Sequence, residues 1–294
     1  MRSDFVDISV VIPSYYRNSE SLEQLNRCLS SISNQLGKPR EVIVCDDSSE
    51  DNYIHILRLL DHFKDLHIRF FRNGRLKGVS GNTNSGIINA QGVYTHVLHQ
   101  DDSLLVNDFY FEAWRMLEHD ANWVVASGTD GFVQIVPKLR RKKLPLELLL
   151  GVNQFGSPSS TIFPSLKTPA YDENLSMYCD VDFYFFLFSK YGSPKLLSAI
   201  PRIGYGVGEY QVQKNLSPFT IRAEIHYLKD KYENIFWASW IRLVVTRRNY
   251  ELKKNVLGAC SDFSLIAFMV SLVFKNYLLL RSKIGSILRF GMLR

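Results

Sequence analysis

Short apolar, β-branched runs alternate with amphipathic helical segments through the first hundred of the chain's 294 residues. That alternation restricts the fold more than any other feature. Residues 8–13 (ISVVIP) form an apolar run closed by proline, which removes a backbone donor and ends a buried strand. In residues 19–36, Leu22, Leu25, Leu29, Ile32 and Leu36 recur at helical spacing, with Ser19 or Ser21 as a cap. Residues 42–45 read as a second buried strand, 52–64 as a second amphipathic helix and 67–73 as a third strand. Residues 81–92 (GNTNSGIINAQG) read as a loop running into a helix, and 94–102 (YTHVLHQDD) as a fourth strand. The expected fold class is α/β: a Rossmann-like, mostly parallel central sheet with helices on both faces.

In open sheets of this kind, ligands bind outside the carboxyl ends of the strands. The polar clusters of this chain fall at those ends: SYYRN after the first strand, DDSSED after the second, HQDD after the fourth. Together they define one expected site. Asp101 and Asp102 are its most informative members. Two adjacent carboxylates at the end of a buried strand repel each other unless a cation or hydroxyl meets them. Oxygen ligands of this type suit Mg²⁺ or Mn²⁺, and a carboxylate also accepts hydrogen bonds from a ribose. A metal bridging a diphosphate would assist departure of a nucleoside diphosphate as a Lewis acid. The alternative is a solvated turn that caps the next helix.

Further along, residues 123–128 and 131–137 read as two strands, and KLRRKKLP (138–145) as a basic exposed turn. Residues 145–151 read as a short helix and 157–164 as another strand. Residues 179–192 (CDVDFYFFLFSKYG) read as a helix that opens with Asp180 and Asp182. From Phe219 the pattern is helical and basic. Residues 219–294 hold 13 Lys/Arg against 5 Asp/Glu, so they carry the entire basic excess of a chain whose net charge is +6. The sequence divides on this basis into 1–218, a nucleotide-binding α/β unit, and 219–294, a C-terminal helical extension. The apolar run at 263–274 is short of the ~20 residues a membrane span requires. It reads as a core helix, an interfacial helix or a span that uses snorkelling, and its basic setting suits an anionic membrane surface. No RNP, helix-turn-helix or zinc-finger pattern is present, so nucleic acid is not an expected partner. Four scattered cysteines without metal-ligand spacing, and no secretory h-region at the N-terminus, fit a cytoplasmic protein, peripheral on the inner face of the membrane.

The segments VVIPSYYR, VIVCDDSSED, GNTNSGIINAQGVY, LHQDD and YDENLSMYCDVDFYFFLF occur in the order and spacing of the inverting family-2 glycosyltransferases of GT-A fold, which residues 7–215 resemble. The resemblance implies a sugar transferase using a nucleotide-sugar donor and Mn²⁺ or Mg²⁺. It places Pro13 and Tyr15 against the nucleobase, Tyr15 by stacking, and Asp47 as acceptor of a hydrogen bond from the base. It assigns Asp101 to the ribose, Asp102 to the metal and Asp180 to the general base that deprotonates the acceptor hydroxyl. Asp182, one alternation on, reads rather as a structural helix charge. The bland reading of Asp180 is likewise a helix N-terminal charge. Asp47 has the alternative of capping the helix that starts near Asn52, and Tyr15 that of a surface aromatic.

Two positions depart from the family's pattern. Thr83 precedes Asn84 where an arginine is frequent, and Arg72, Arg75 or Lys77 are the candidates for the missing charge. His99 stands where the family often has a third acid. Its expected role is to bond a phosphate or to pack, since imidazole is a softer ligand than Mg²⁺ prefers. The absence of a Q-x-x-R-W segment argues for single-sugar transfer rather than processive synthesis. The expected reaction moves one sugar from a UDP- or dTDP-sugar to a hydroxyl of a growing, lipid-linked surface glycan. The rival is a nucleotide-sugar or glycan-binding module of the same fold without catalysis.

Overall fold

A computed structural model describes residues 5–74, 78–137, 155–168, 170–208 and 216–232, with Leu139, Leu148 and Asn153. The basic turn at 138–145 and the short helix at 145–151 fall almost wholly outside the described residues. Arg75, Lys77 and the apolar run at 263–274 lie outside them entirely.

Strand β1 (Phe5–Ser14) is an interior strand of a seven-stranded sheet. It pairs in parallel with β2 (Lys38–Asp46) on one edge and with β4 (Tyr94–Val97) on the other; β3 (Ile68–Arg72) lies beyond β2. Past β4 the sheet continues through β9 (Thr161–Pro164), β6 (Val124–Val125) and β10 (Lys195–Leu196). Only β9 runs antiparallel to its neighbours. A second, four-stranded sheet joins β5 (Ser103–Leu104), β11 (Ile203–Gly204), β7 (Gly128–Thr129) and β8 (Gln134–Ile135) in that order. The strand order reverses between β2 and β4, on either side of β1, which is the switch point where such sheets bind ligands.

Both faces of the large sheet are buried. Val10, Ile12, Val42 and Val44 point to one face, against Leu25 and Leu29 of helix α1 (Ser19–Ser33) and Phe109 and Tyr110 of α4 (Phe109–His119). Val11, Ile43 and Cys45 point to the other, in the cluster that includes Ile87 of α3 (Val79–Asn89) and Phe183 of α5 (Cys179–Tyr191). Strands buried on both faces carry continuous apolar runs, as those of β1 and β2 do. The three described cysteines, Cys28, Cys45 and Cys179, are free and buried.

Several boundaries differ from expectation for identifiable reasons. The cap of α1 is Asn18: its side chain accepts the Ser21 N–H while the Ser21 hydroxyl accepts the Asn18 N–H. The helix ends at Ser33, leaving Leu36 exposed. Helix α2 (Tyr53–Leu60) is shorter than the periodicity suggested. The expected strand at 157–164 begins as a 3-10 turn (Pro158–Ser160), with proline at its start, and is extended only from Thr161. The polar GNTN segment is helical, not a loop. It is buried, and its neighbours Ser80 and Ser85 bond the Leu175 carbonyl and the Asn73 side chain while Asn82 Nδ2 donates to the Ser14 carbonyl. Gly86 lets α3 approach β1, since a Cβ there would meet Val11 Cγ1 at 2.2 Å.

Helix α6 (Pro218–Lys231) closes the described chain. The boundary drawn from charge at 218/219 falls at its first residues, and the helix packs on α5, with Ile225 and Leu228 in the same core cluster as Phe183. Among the described residues no helix is long and apolar enough to cross a membrane.

Asn84 is fully used by the fold. Its Nδ2 donates to the Tyr171 carbonyl at 2.8 Å and to Glu173 at 2.9 Å, and its Oδ1 accepts the N–H groups of Ala170 and Tyr171, each at 2.9 Å. Asn84→Ala strands the buried Tyr171 N–H, at a cost of about 1–3 kcal/mol, and the half-buried Ala170 N–H. The expected result is a clear drop in melting temperature; an unchanged thermal unfolding curve would show that the segment at 170–173 does not depend on Asn84.

Candidate active site

The carboxyl ends of β1, β2 and β4 lie side by side, and the loops that leave them are bonded to one another. Gln100 joins the first to the third: its Oε1 accepts the Tyr15 N–H at 2.8 Å and its Nε2 donates to the Tyr15 carbonyl at 3.1 Å. Ser48 joins the first to the second by accepting the Tyr16 N–H at 2.7 Å. Tyr15 is 49% exposed at the rim, with its backbone fixed and its ring open to a ligand. Pro13 lies two residues inside, paired with Cys45.

The two acids after β2 have different work. Asp46 is buried and holds the framework: it accepts from Ser14, Ser48 and Arg72. Burial raises its pKa against the opposing effect of those bonds. Arg72 is therefore committed to Asp46 and, through its other nitrogen, to Glu50 at 3.1 Å. Asp47 is half-buried and accepts from Asn73 Nδ2 at 3.1 Å and from the Gly78 N–H at 2.7 Å. It does not cap α2, whose N-cap Asn52 has no side-chain cap bond.

Asp101, Asp102 and His99 converge. One potential ligand atom from each lies within 4.8 Å of the others. Asp102 is 4% exposed. It accepts the Gly206 N–H at 2.8 Å and the Ser157 hydroxyl at 3.3 Å. Those bonds do not balance its burial and the adjacent Asp101 charge, which together push its pKa up to about 7. An ionised, buried Asp102 beside a second carboxylate lacks a cation. A divalent ion would relieve both strains, and the carboxylate pair supplies the hard oxygen donors that Mg²⁺ and Mn²⁺ take. The residues present fit the metal. Burial lowers the pKa of His99, while Asp101 and Asp180 act to raise it, so its ring lies in the field of both acids. His96, three residues earlier, is a core residue: it bonds Tyr110 and the Ser159 carbonyl, and burial lowers its pKa to about 4.

Asp180 is the second residue of α5. Its Oδ1 accepts the Val181 N–H at 2.7 Å, and its Oδ2 accepts Asn153 Nδ2 at 2.6 Å. Burial pushes its pKa up to about 6, against those bonds and the His99 charge. Asp182 faces away from this acid. Its oxygens accept from Tyr232 at 2.7 Å and Lys231 at 3.0 Å on the far side of α5, so it is a structural charge.

Five contributors to this site escaped the sequence reading. Gln100 ties two strand-end loops. Ser157 and Gly206 hold Asp102, Ser159 accepts the His99 N–H at 2.9 Å, and Asn153 orients Asp180. The segment at 157–160 was legible only as a strand, yet its serine-rich composition beside glycine and proline was the available signal of a polar turn.

Residues 9–182 match the model of Glycosyl transferase family 2. This chain is a member of that family. It is 35% identical over 99 residues to a Campylobacter jejuni GalNAc(5)-diNAcBac-PP-undecaprenol beta-1,3-glucosyltransferase, covering 33% of this chain and 30% of that one. It is 29% identical over 117 residues to WfgD, an Escherichia coli UDP-Glc:alpha-D-GlcNAc-diphosphoundecaprenol beta-1,3-glucosyltransferase, covering 40% of this chain and 44% of the relative. The matched region thus spans under half the length of each of these relatives. Among solved structures, Staphylococcus aureus TarS 1-349 in complex with UDP-GlcNAc superposes with TM-score 0.54 at 17% identity, covering 87% of this chain and 80% of that one. The mannosyltransferase PcManGT from Pyrobaculum calidifontis, in complex with GDP-Man and Mn²⁺, gives TM-score 0.50 at 12% identity over 91% and 86%. At such identities the likeness is one of fold, and the fold is GT-A.

In metal-free protein, Asp102 binds a proton more tightly when folded than when unfolded. Its ionisation therefore lowers stability as pH rises from the ordinary aspartate range to about 7. A bound cation must displace that proton. Mn²⁺ should raise the melting temperature more at pH 8 than at pH 5, and Asp102→Asn should remove most of the increment. An equal Mn²⁺ shift in the variant would place the ion elsewhere.

Proposed function

We propose that this glycosyltransferase moves one sugar, with inversion, from a UDP- or dTDP-sugar to a hydroxyl of a lipid-linked surface glycan. The observation that carries the reading is the pairing of two kinds of acid around His99. Asp101 and Asp102 form a cation-deficient pair, and Asp180 is a separate carboxylate whose pKa is near 6. An inverting transfer needs those two functions and no covalent nucleophile.

The chain's residues divide the work as follows. Tyr15 and Pro13 take the face of the base, Asp47 accepts a hydrogen bond from it, and Asp101 takes the ribose. Asp102 would hold Mn²⁺ or Mg²⁺ with Asp101 and His99 alongside, and the ion would neutralise charge on the diphosphate. Asp180 accepts the proton of the acceptor hydroxyl as that oxygen bonds to the anomeric carbon. The bond from that carbon to the diphosphate breaks, and the nucleoside diphosphate departs with the electron pair. Val181 N–H and Asn153 fix the Asp180 carboxylate for this transfer, and partial burial keeps it basic enough to act. Support for a lipid-linked acceptor comes from the two undecaprenol-directed relatives. The basic 219–294 segment is proposed to hold the enzyme at the anionic cytoplasmic face of the membrane.

A donor panel tests the reading. UDP should raise the melting temperature, and Asp47→Ala should weaken the shift; stabilisation by GDP and not UDP would overturn the base pocket. With the donor so identified, Asp180→Asn should retain UDP binding and lose at least ~10²-fold in transfer. The kcat/KM profile should fall on the acid side with a midpoint about 6, because protonated Asp180 cannot accept the hydroxyl proton. Full transfer by Asp180→Asn would move the base elsewhere.

A further inference from the structure

We infer that Glu224, on α6, is a positioning residue for Asp180, so that the helix beyond the family-matched region belongs to the catalytic apparatus. The inference rests on Asp180 being the base. Glu224 is 5% exposed. Its Oε1 accepts the Ser176 N–H at 2.8 Å, and its Oε2 accepts the N–H groups of Met177 at 2.9 Å and Tyr178 at 3.0 Å. These three donors are consecutive and lead directly into Cys179, the first residue of α5. Tyr178, at the N-cap position, offers no side-chain cap bond of its own. The turn that sets where α5 begins is thus held from 46 residues away by one carboxylate.

Charge-assisted bonds of this kind are the strong ones, and three on one group leave it little freedom. Val181 N–H and Asn153 fix the rotamer of Asp180, but neither fixes where the helix start sits over the site. Glu224 does that. Its burial behind the turn keeps it off the substrate. The far end of α6 grips the side of α5 instead: Lys231 bonds Asp182 and Asp172, at 3.0 Å and 2.6 Å, and Tyr232 bonds Asp182. The middle of α6 places the base, and its last residue, Lys231, secures the helix.

The two anchors give a controlled test on the full-length chain. UDP release from the donor sugar identified by the panel, with Mn²⁺, is measured per folded molecule, the folded fraction coming from circular dichroism. Glu224→Ala should lower kcat by about tenfold or more, since misplacing a catalytic group by ~1 Å can cost up to ~10²-fold. Donor KM and the UDP-induced thermal shift should stay at native values. Glu224→Gln, which keeps one acceptor oxygen, should fall between the two and serves as the readout if the alanine variant does not fold. Lys231→Met should lose melting temperature yet keep its kcat. Native kcat in both Glu224 variants would overturn the inference. So would a kcat in Lys231→Met reduced as far as in Glu224→Ala, because anchoring in general would then explain the loss. Asp180→Asn run alongside separates the two claims: if it stays active, the base assignment itself fails. If it alone is inactive, only the role of Glu224 fails.

Discussion

Everything at the site depends on β1 being hydrogen-bonded on both edges. Parallel pairing with β2 and with β4 puts three strand ends on one line, and each end then has to turn away without leaving polar groups stranded. The solutions are local and specific. Asp46 and Ser48 stitch the first two loops, and Gln100 clasps the Tyr15 backbone with both ends of its amide. What remains unsatisfied at this line of ends is negative charge. Asp102 is buried without a full set of partners, while Asp101 sits beside it. That deficit is the chemical demand for a cation.

Asp102, Asp180 and Asp182 differ in what surrounds them more than in what they are. Asp102 is held by a backbone N–H and a hydroxyl, Asp180 by an amide and its own helix turn, and Asp182 by a lysine and a tyrosine. The first lacks a counter-charge, the second lacks full solvation, and the third lacks nothing. Those environments set apart three carboxylates that the sequence presents as equals.

The alternating strands and helices, the strand-end acids and the opening of α5 were readable from the sequence because each is a local pattern. Apolar periodicity reports burial, and a polar cluster after an apolar run reports a strand end. The helical GNTN segment was not readable. Gly, Asn, Ser and Thr are poor helix formers, and only partners such as Leu175, Tyr171 and Ser14 make their inward placement favourable. The supports of the acids were equally hidden. Ser157 meets Asp102 from 55 residues away, Gly206 from 104, and Asn153 meets Asp180 from 27. No window along the chain contains both members of such a pair. Asn84 shows the reverse case, a family-motif residue whose every polar atom is spent on the segment at 170–173.

The segment at 153–160 touches both working acids, Asn153 at Asp180 and Ser157 at Asp102, and Phe155 between them is wedged edge-on against Trp123 and Tyr184. A strut with its middle set in the core and its two ends on two acids is a physical link of the kind that coupling between them would use. If a ligand at Asp102 changed the affinity at Asp180, linkage would make the reverse effect the same factor. Donor and acceptor would then report on each other's presence without touching, by way of Asn153, Phe155 and Ser157.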